Sequence, residues 1–417
     1  MSLNVFYILC LLLYSFDFAL VLPFSMPGVG SLSIGKLGLL VSILLIALTL
    51  IGEKEVTTSR KAMLLITPFV LWFLYISLSS LWSPNQDGAS RYVVLSGFNL
   101  LSLLIALKAG QNRSHAKALI FSIIAVSLGF ALVDFSFDYR PHISRQYNFT
   151  NEVVGIFPNS ISLGFTLASV LPGILLYIIN KGAINIRLGV TAILSILVIF
   201  LTGSRSSLIS SALSTIIMYS ICRTQRRTRT ILISSILLVV GFIFGEHIYS
   251  SILPAPIAAK ISTIPQLLSN DGGFDATARG KAVQFGLEYF KSNPIIGYGS
   301  AAVEYMFQDI PELAVESNIN AHNWWLENAI NGGIISLTLF LLGYLNVLIN
   351  IIIAFRKDFS LLNCILAGYI VAFPMLVFGP GSITNLPFPW ILLGLAVARI
   401  VNESAEDTKH THSVLRA

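Results

Sequence analysis

Of 417 residues, 55% are hydrophobic and 11% charged, and the mean hydropathy is +0.80. A soluble chain carries about 25% charged residues, so this composition excludes a soluble globular domain and points to a polytopic membrane protein. The net charge of +6 is what basic cytoplasmic loops produce and implies no nucleic-acid partner.

A bilayer core of about 30 Å takes roughly 20 apolar residues per helix, and each span has to satisfy its own backbone hydrogen bonds, which selects helices. Such runs recur from end to end. Their cores are predicted at 4–23, 35–52, 63–82, 91–108, 116–134, 160–180, 186–202, 205–222, 229–246, 325–354, 361–378 and 386–401. The fold class expected is an all-α polytopic membrane protein of about 12 transmembrane helices. The first run has no Lys or Arg before it and no small-x-small cleavage site after Pro23, so it reads as an uncleaved helix.

Two polar segments interrupt the series, one at about 135–159 and one at 247–324. The longer exceeds the roughly 15 residues of an ordinary connection. Within it, residues 276–291 place Val283, Leu287 and Phe290 at helical spacing and Ser292-Asn293-Pro294 ends the run, predicting an amphipathic helix on or near the membrane. The organisation is then a membrane domain of nine spans over 1–246, a large outer loop over 247–324, three further spans over 325–402 and a cytoplasmic tail over 403–417. Placing both termini in the cytoplasm puts 17 of the 26 basic residues inside, among them the run Arg223-Thr-Gln-Arg-Arg-Thr-Arg229, a topology anchor. Cys10, Cys222 and Cys364 fall in spans as small apolar residues, with no disulfide framework and no metal-ligand spacing. His410-x-His412 reads as part of a solvated tail.

Three polar features of the outward-facing segments stand out. Arg205, in Thr202-Gly-Ser-Arg-Ser-Ser207, joins two spans, where an arginine either snorkels to lipid headgroups or serves a function. Arg279 opens the amphipathic helix with Lys281 close behind; cations are disfavoured at a helix N-terminus, so an anion is expected there unless both are simply solvated. His322 precedes Asn323, Trp324, Trp325 and Glu327 at the threshold of a span. A lone loop histidine is more often structural, but Asn323 can bond a ligand, the tryptophans suit an interfacial belt or a sugar-stacking wall, and Gly332-Gly333 lets another helix approach. Converged, one base and two guanidiniums fit group transfer from a pyrophosphate-linked lipid.

Thr202-Gly-Ser-Arg-Ser-Ser-Leu208, the run from Ala278 through Ser292-Asn-Pro-Ile-Ile-Gly297, and His322-Asn-Trp-Trp-Leu-Glu-Asn-Ala-Ile-Asn-Gly-Gly333 resemble the three signature segments of the O-antigen ligase and polymerase superfamily. Gly155-Ile-Phe-Pro-Asn159 is similar to its further Gly-x-Phe-x-Asn motif. The resemblance spans about 150–345 by motif. It implies a GT-C-like glycosyltransferase of the bacterial inner membrane, with a periplasmic active site, that moves glycan from undecaprenyl diphosphate to a lipid A-core acceptor sugar among membrane lipids. The implied reaction is metal-independent and cofactor-free and inverts the anomeric centre. His322 matches the family's base and Arg205 and Arg279 its diphosphate-binding arginines; Lys281, Asn323, Arg145 and Asn159 are supporting candidates by proximity to motifs. The ligase reading ranks first. An O-antigen or exopolysaccharide polymerase uses the same donor, a protein O-oligosaccharyltransferase would bring a larger outer domain, and a lipid-linked glycan transporter would scatter charges through a central cavity.

Overall fold

The computed structural model of the protein describes residues 2–16, 21–26, 30–52, 60–137, 157, 159–181, 185–222, 278–308, 310, 321, 323–378 and 382–414. Helices make up most of them: α1 (Leu3–Ser15), α2 (Ile34–Gly52), α3 (Arg60–Ser79), α4 (Gln86–Ala109), α5 (Arg113–Phe137), α6 (Ser160–Lys181), α7 (Ile186–Leu201), α8 (Arg205–Ile221), α9 (Ala278–Ser292), α10 (Ala302–Gln308), α11 (Trp324–Lys357), α12 (Leu361–Leu376) and α13 (Pro387–Val414). Eleven of the twelve apolar cores read from the sequence overlie α1–α8 and α11–α13; the remaining one, 229–246, lies outside the described residues. Among the described residues five helices, α3 to α6 and α11, are long and apolar enough to cross a bilayer. The chain is membrane-integral.

Three elements depart from expectation. The first run does not stay helical to residue 23: α1 stops at Ser15, and Val21–Met26 pairs antiparallel with Gly30–Ser33. Pro23 has no amide proton for a helix and sits within the first of these strands. The amphipathic helix forms as α9, but Leu287 is exposed; its packed side carries Ala282, Val283, Gly286, Tyr289 and Phe290 against Val303, Phe307, Leu326 and Ile330. α13 runs on to Val414, through most of the stretch read as a tail.

Turns tie the helices together at two ends of the bundle. At the first end, Ser83 Oγ donates to the Ser300 carbonyl at 2.7 Å and Ser300 Oγ to the Ile76 carbonyl at 2.6 Å, so the α3–α4 turn holds the segment after α9. Gly164 of α6 lies against Thr202, Ser204 and Ser207 of the α7–α8 turn. The Trp324 amide opening α11 donates to the Val377 carbonyl just past α12 at 3.1 Å. At the second end Asp358 accepts from Arg113 and from Arg399, each at 3.0 Å, and Asn363 Oδ1 accepts from Arg399 Nε at 2.7 Å. Lys108, Arg113, Lys181, Arg187, Arg356 and Lys357 all sit at or next to helix ends on this side, with Arg399 of α13 beside them.

Between the ends the helices approach closely where side chains are small, as membrane helices do without a hydrophobic drive to associate. A Cβ at Gly173 of α6 would run into the backbone of Cys364 and Ile365 of α12, and one at Gly394 of α13 into the Leu103 carbonyl of α4. Trp72, Trp324, Phe340, Phe373 and Trp390 form an aromatic core beneath the first end, with Trp324 and Phe340 centroids 4.6 Å apart edge to face.

Candidate active site

The start of α11 is fixed by its cap. Asn323 has extended backbone and its Oδ1 accepts from the Trp325 amide at 3.1 Å and the Leu326 amide at 3.3 Å, pairing donors that a helix N-terminus otherwise leaves free. The two tryptophans that follow are neither an interfacial belt nor a sugar wall. Trp324 is fully buried in the aromatic core, and Trp325 Nε1 donates to the Pro374 carbonyl at 3.1 Å. Their rings find more apolar surface inside the bundle than at its rim.

Nine residues after its start, α11 breaks. Gly333 has φ 63° and ψ −164°, a conformation open essentially to glycine alone. The carbonyls that the break frees are taken by the segment after α9, a strap running from Asn293 to Ala301. The Tyr298 amide donates to the Ile330 carbonyl at 2.9 Å, the Gly299 amide to the Asn331 carbonyl at 2.8 Å, and the Ile334 amide to the Pro294 carbonyl at 2.8 Å. Asn293 Nδ2 closes the strap's turn on the Gly297 carbonyl at 2.7 Å. Gly333 therefore admits the backbone of Ser292-Asn-Pro-Ile-Ile-Gly297, while Gly332 lies against Ile76 of α3, and two motif segments far apart in sequence become one unit.

The other two motif segments also meet. Asn159 Oδ1 accepts from the Ser162 amide at 2.8 Å and its hydroxyl at 2.9 Å, capping α6. Gly164, one turn on, packs on the Thr202–Ser207 turn, in which Gly203 takes φ 62° and Ser204 Oγ pairs with Ser207 Oγ at 2.7 Å. Arg205 is the first residue of α8 and Arg279 the second of α9. Their side chains, and His322 and Arg145 altogether, lie outside what the structure describes. Lys281 is half-buried on the first turn of α9. Both supporting asparagines thus have their side-chain oxygens engaged as helix caps, and α12 packs against α6, α8 and α11, standing between the two motif units.

Sequence reading passed over a group of polar residues lower down. Glu327 and Asn331 of α11, four apart and so on one face, meet Tyr92 of α4, with Ser382 and Thr384 of the turn before α13 beside them. Glu327 was read only as the beginning of a helix. The signal was present: a carboxyl and an amide spaced i, i+4 in the first turns of a membrane helix mark a polar face aimed inward. Glu304 of α10 keeps surface exposure, yet the protein around it raises its carboxyl pKa, against the opposing pull of the Arg91 guanidinium.

Residues 190–341, from α7 through the break in α11, match the family described as O-Antigen ligase. The chain is also similar to the teichuronic acid biosynthesis protein TuaE of Bacillus subtilis (strain 168), with 23% identity over 360 residues, covering 80% of this chain and 70% of the relative.

Proposed function

We propose that this chain, a member of the O-antigen ligase and polymerase superfamily, transfers glycan from undecaprenyl diphosphate to a sugar hydroxyl at the periplasmic face of the bacterial inner membrane, with the lipid A-core as acceptor, as an O-antigen ligase does. The observation that carries this reading is the clustering of helix starts at one end of the bundle. α6 and α8 begin side by side, with Arg205 leading α8, and α11 begins at the Asn323 cap beside the end of α12. Helix N-termini carry partial positive charge, which suits the anionic head of a lipid-linked donor. The basic residues gathered at the opposite end support a cytoplasmic placement for that end and for both termini.

In the mechanism this implies, Arg205 and Arg279 hold the diphosphate bidentately and stabilise its charge as it departs. His322 takes the proton of the acceptor hydroxyl while that oxygen bonds to the anomeric carbon. The bond from the same carbon to the diphosphate oxygen breaks, its electron pair leaving with the diphosphate. Attack opposite the leaving group inverts the anomeric centre. The guanidiniums supply the charge that a metal supplies elsewhere. Asn159 and Asn323 contribute by fixing the starts of α6 and α11, and Lys281 and Arg145 add positive charge.

A polymerase using the same donor is the second reading, favoured by the similarity over 80% of the chain to a protein named for teichuronic acid biosynthesis. In proteoliposomes with lipid-linked glycan, His322→Ala, Arg205→Ala and Arg279→Ala should each lower transfer by at least about 100-fold at unchanged protein level; full activity of any one removes its assigned role. Deletion of the chain in its own bacterium separates the readings by lipopolysaccharide electrophoresis. A core without O-antigen, with long chains left on the carrier, means ligase, and a single repeat on the core means polymerase.

A further inference from the structure

Beneath the end that carries the proposed transfer site, Tyr92, Glu327 and Asn331 converge from α4 and α11. At about 1.5 Å per helical residue, Glu327 lies about 5 Å and Tyr92 about 9 Å below the first residues of their helices. All three are buried: Tyr92 is 8% exposed, Glu327 6% and Asn331 0%. The Tyr92 hydroxyl lies beside Glu327, Asn331 and Thr384, yet it makes no hydrogen bond of adequate geometry within the protein, and neither does Asn331 Nδ2. The Asn331 oxygen is spoken for by the Val303 amide at 3.4 Å, so the side chain is held with its amide nitrogen turned away from α10. Among the described residues no ion pair engages Glu327.

Buried polar atoms in native proteins are almost always paired, and exceptions call for an explanation. Asn328 Nδ2, on the neighbouring face of α11, is likewise unpaired, while its oxygen accepts from Trp72 Nε1 at 3.0 Å and Ser336 Oγ at 2.7 Å. Tyr92 and Asn331 differ from it in lying together, beside the Glu327 carboxyl. Together the three side chains offer a carboxyl acceptor, two amide protons and a phenol that donates or accepts. A sugar ring needs that assortment, because each of its hydroxyls donates once and accepts as well. A diphosphate, which only accepts, would find no fixed cation among them.

We propose that Tyr92, Glu327 and Asn331 form a hydroxyl-binding subsite that holds the acceptor sugar. The assignment to acceptor rather than donor rests on the function proposed above: Glu327 follows His322, the base for the acceptor hydroxyl, by five residues, whereas the arginine of the α8 start belongs to the other motif unit. Tyr92→Phe is the cleanest probe. The substitution removes only the phenol oxygen, which makes no hydrogen bond of adequate geometry within the protein, and keeps the ring that packs in the core.

The experiment uses the full chain in proteoliposomes, a lipid-linked glycan donor, and O-antigen-free core lipopolysaccharide from a strain deleted for the chain as the titrated acceptor. Tyr92→Phe and Glu327→Gln should each raise the acceptor KM by about 10-fold and leave the donor KM within about twofold, with Tyr92→Phe melting as the wild type does. Wild-type acceptor saturation in Tyr92→Phe overturns the subsite while leaving the transferase reading intact. A lowered kcat with an unchanged acceptor KM in both variants overturns it too, as the mark of a structural role. If the wild-type chain itself transfers nothing from the lipid-linked donor, the function and the subsite fall together.

Discussion

Gly333→Ala tests whether the break in α11 is what assembles the site. Outside glycine, a backbone at φ 63° and ψ −164° costs about 1–3 kcal/mol. The added methyl would also meet the Ile295 carbonyl and the Gly297 amide, which are backbone and cannot swing aside. The strap then has to leave, and with it go the hydrogen bonds from Tyr298 to Ile330, from Gly299 to Asn331 and from Ile334 to Pro294, each worth about 0.5–1.5 kcal/mol. The loss comes to about 3–7 kcal/mol, concentrated where α9 joins α11. Gly129→Ala is the control, because a Cβ there meets nothing within 4 Å and alanine favours a helix by up to about 1 kcal/mol. Thermal unfolding in detergent micelles, followed by tryptophan fluorescence, and limited proteolysis of the strap provide the readouts. The alanine at 333 should melt well below wild type and expose residues 293–301 to protease, with transfer lost, while Gly129→Ala matches the wild type. Equal melting and equal protection of the two variants would refute the account of the break.

The spans were legible because a long apolar run is a local property, and lipid admits one backbone solution for it. Failures came where distant residues decide. Nothing near Gly333 in the sequence says that its partner is the Pro294–Gly299 backbone, and nothing near Trp324 says that Trp72, Phe340 and Phe373 wait beneath it. The predicted run 4–23 overran α1 because the apolar count passed over Pro23, a local signal against helix at that end. In the candidate site, motif membership located Asn159 and Asn323 but not their work. Both stand immediately before apolar helices, the usual place of a capping residue, and both cap. Tyr92 carried no motif at all, and its significance appears only when α4 packs beside α11.

Asp358→Ala should destabilise the bundle by about 2–4 kcal/mol, somewhat below the 3–5 typical of a broken buried pair, because Asp358 is itself 36% exposed while Arg399, at 2%, keeps Asn363 as the acceptor for its Nε; a detergent melt that does not shift would contradict this. Asn323 distinguishes a cap from a ligand contact. Its Oδ1 receives the Trp325 and Leu326 amides, so Asn323→Ala should cost about 1 kcal/mol and reduce transfer by loosening the start of α11. Serine offers the same acceptor from a shorter side chain without the amide, and Asn323→Ser should therefore restore both the melting temperature and transfer if capping is the whole of the role. If Asn323→Ser recovers stability but stays as inactive as alanine, the Asn323 amide contacts substrate, and its place in the site is direct.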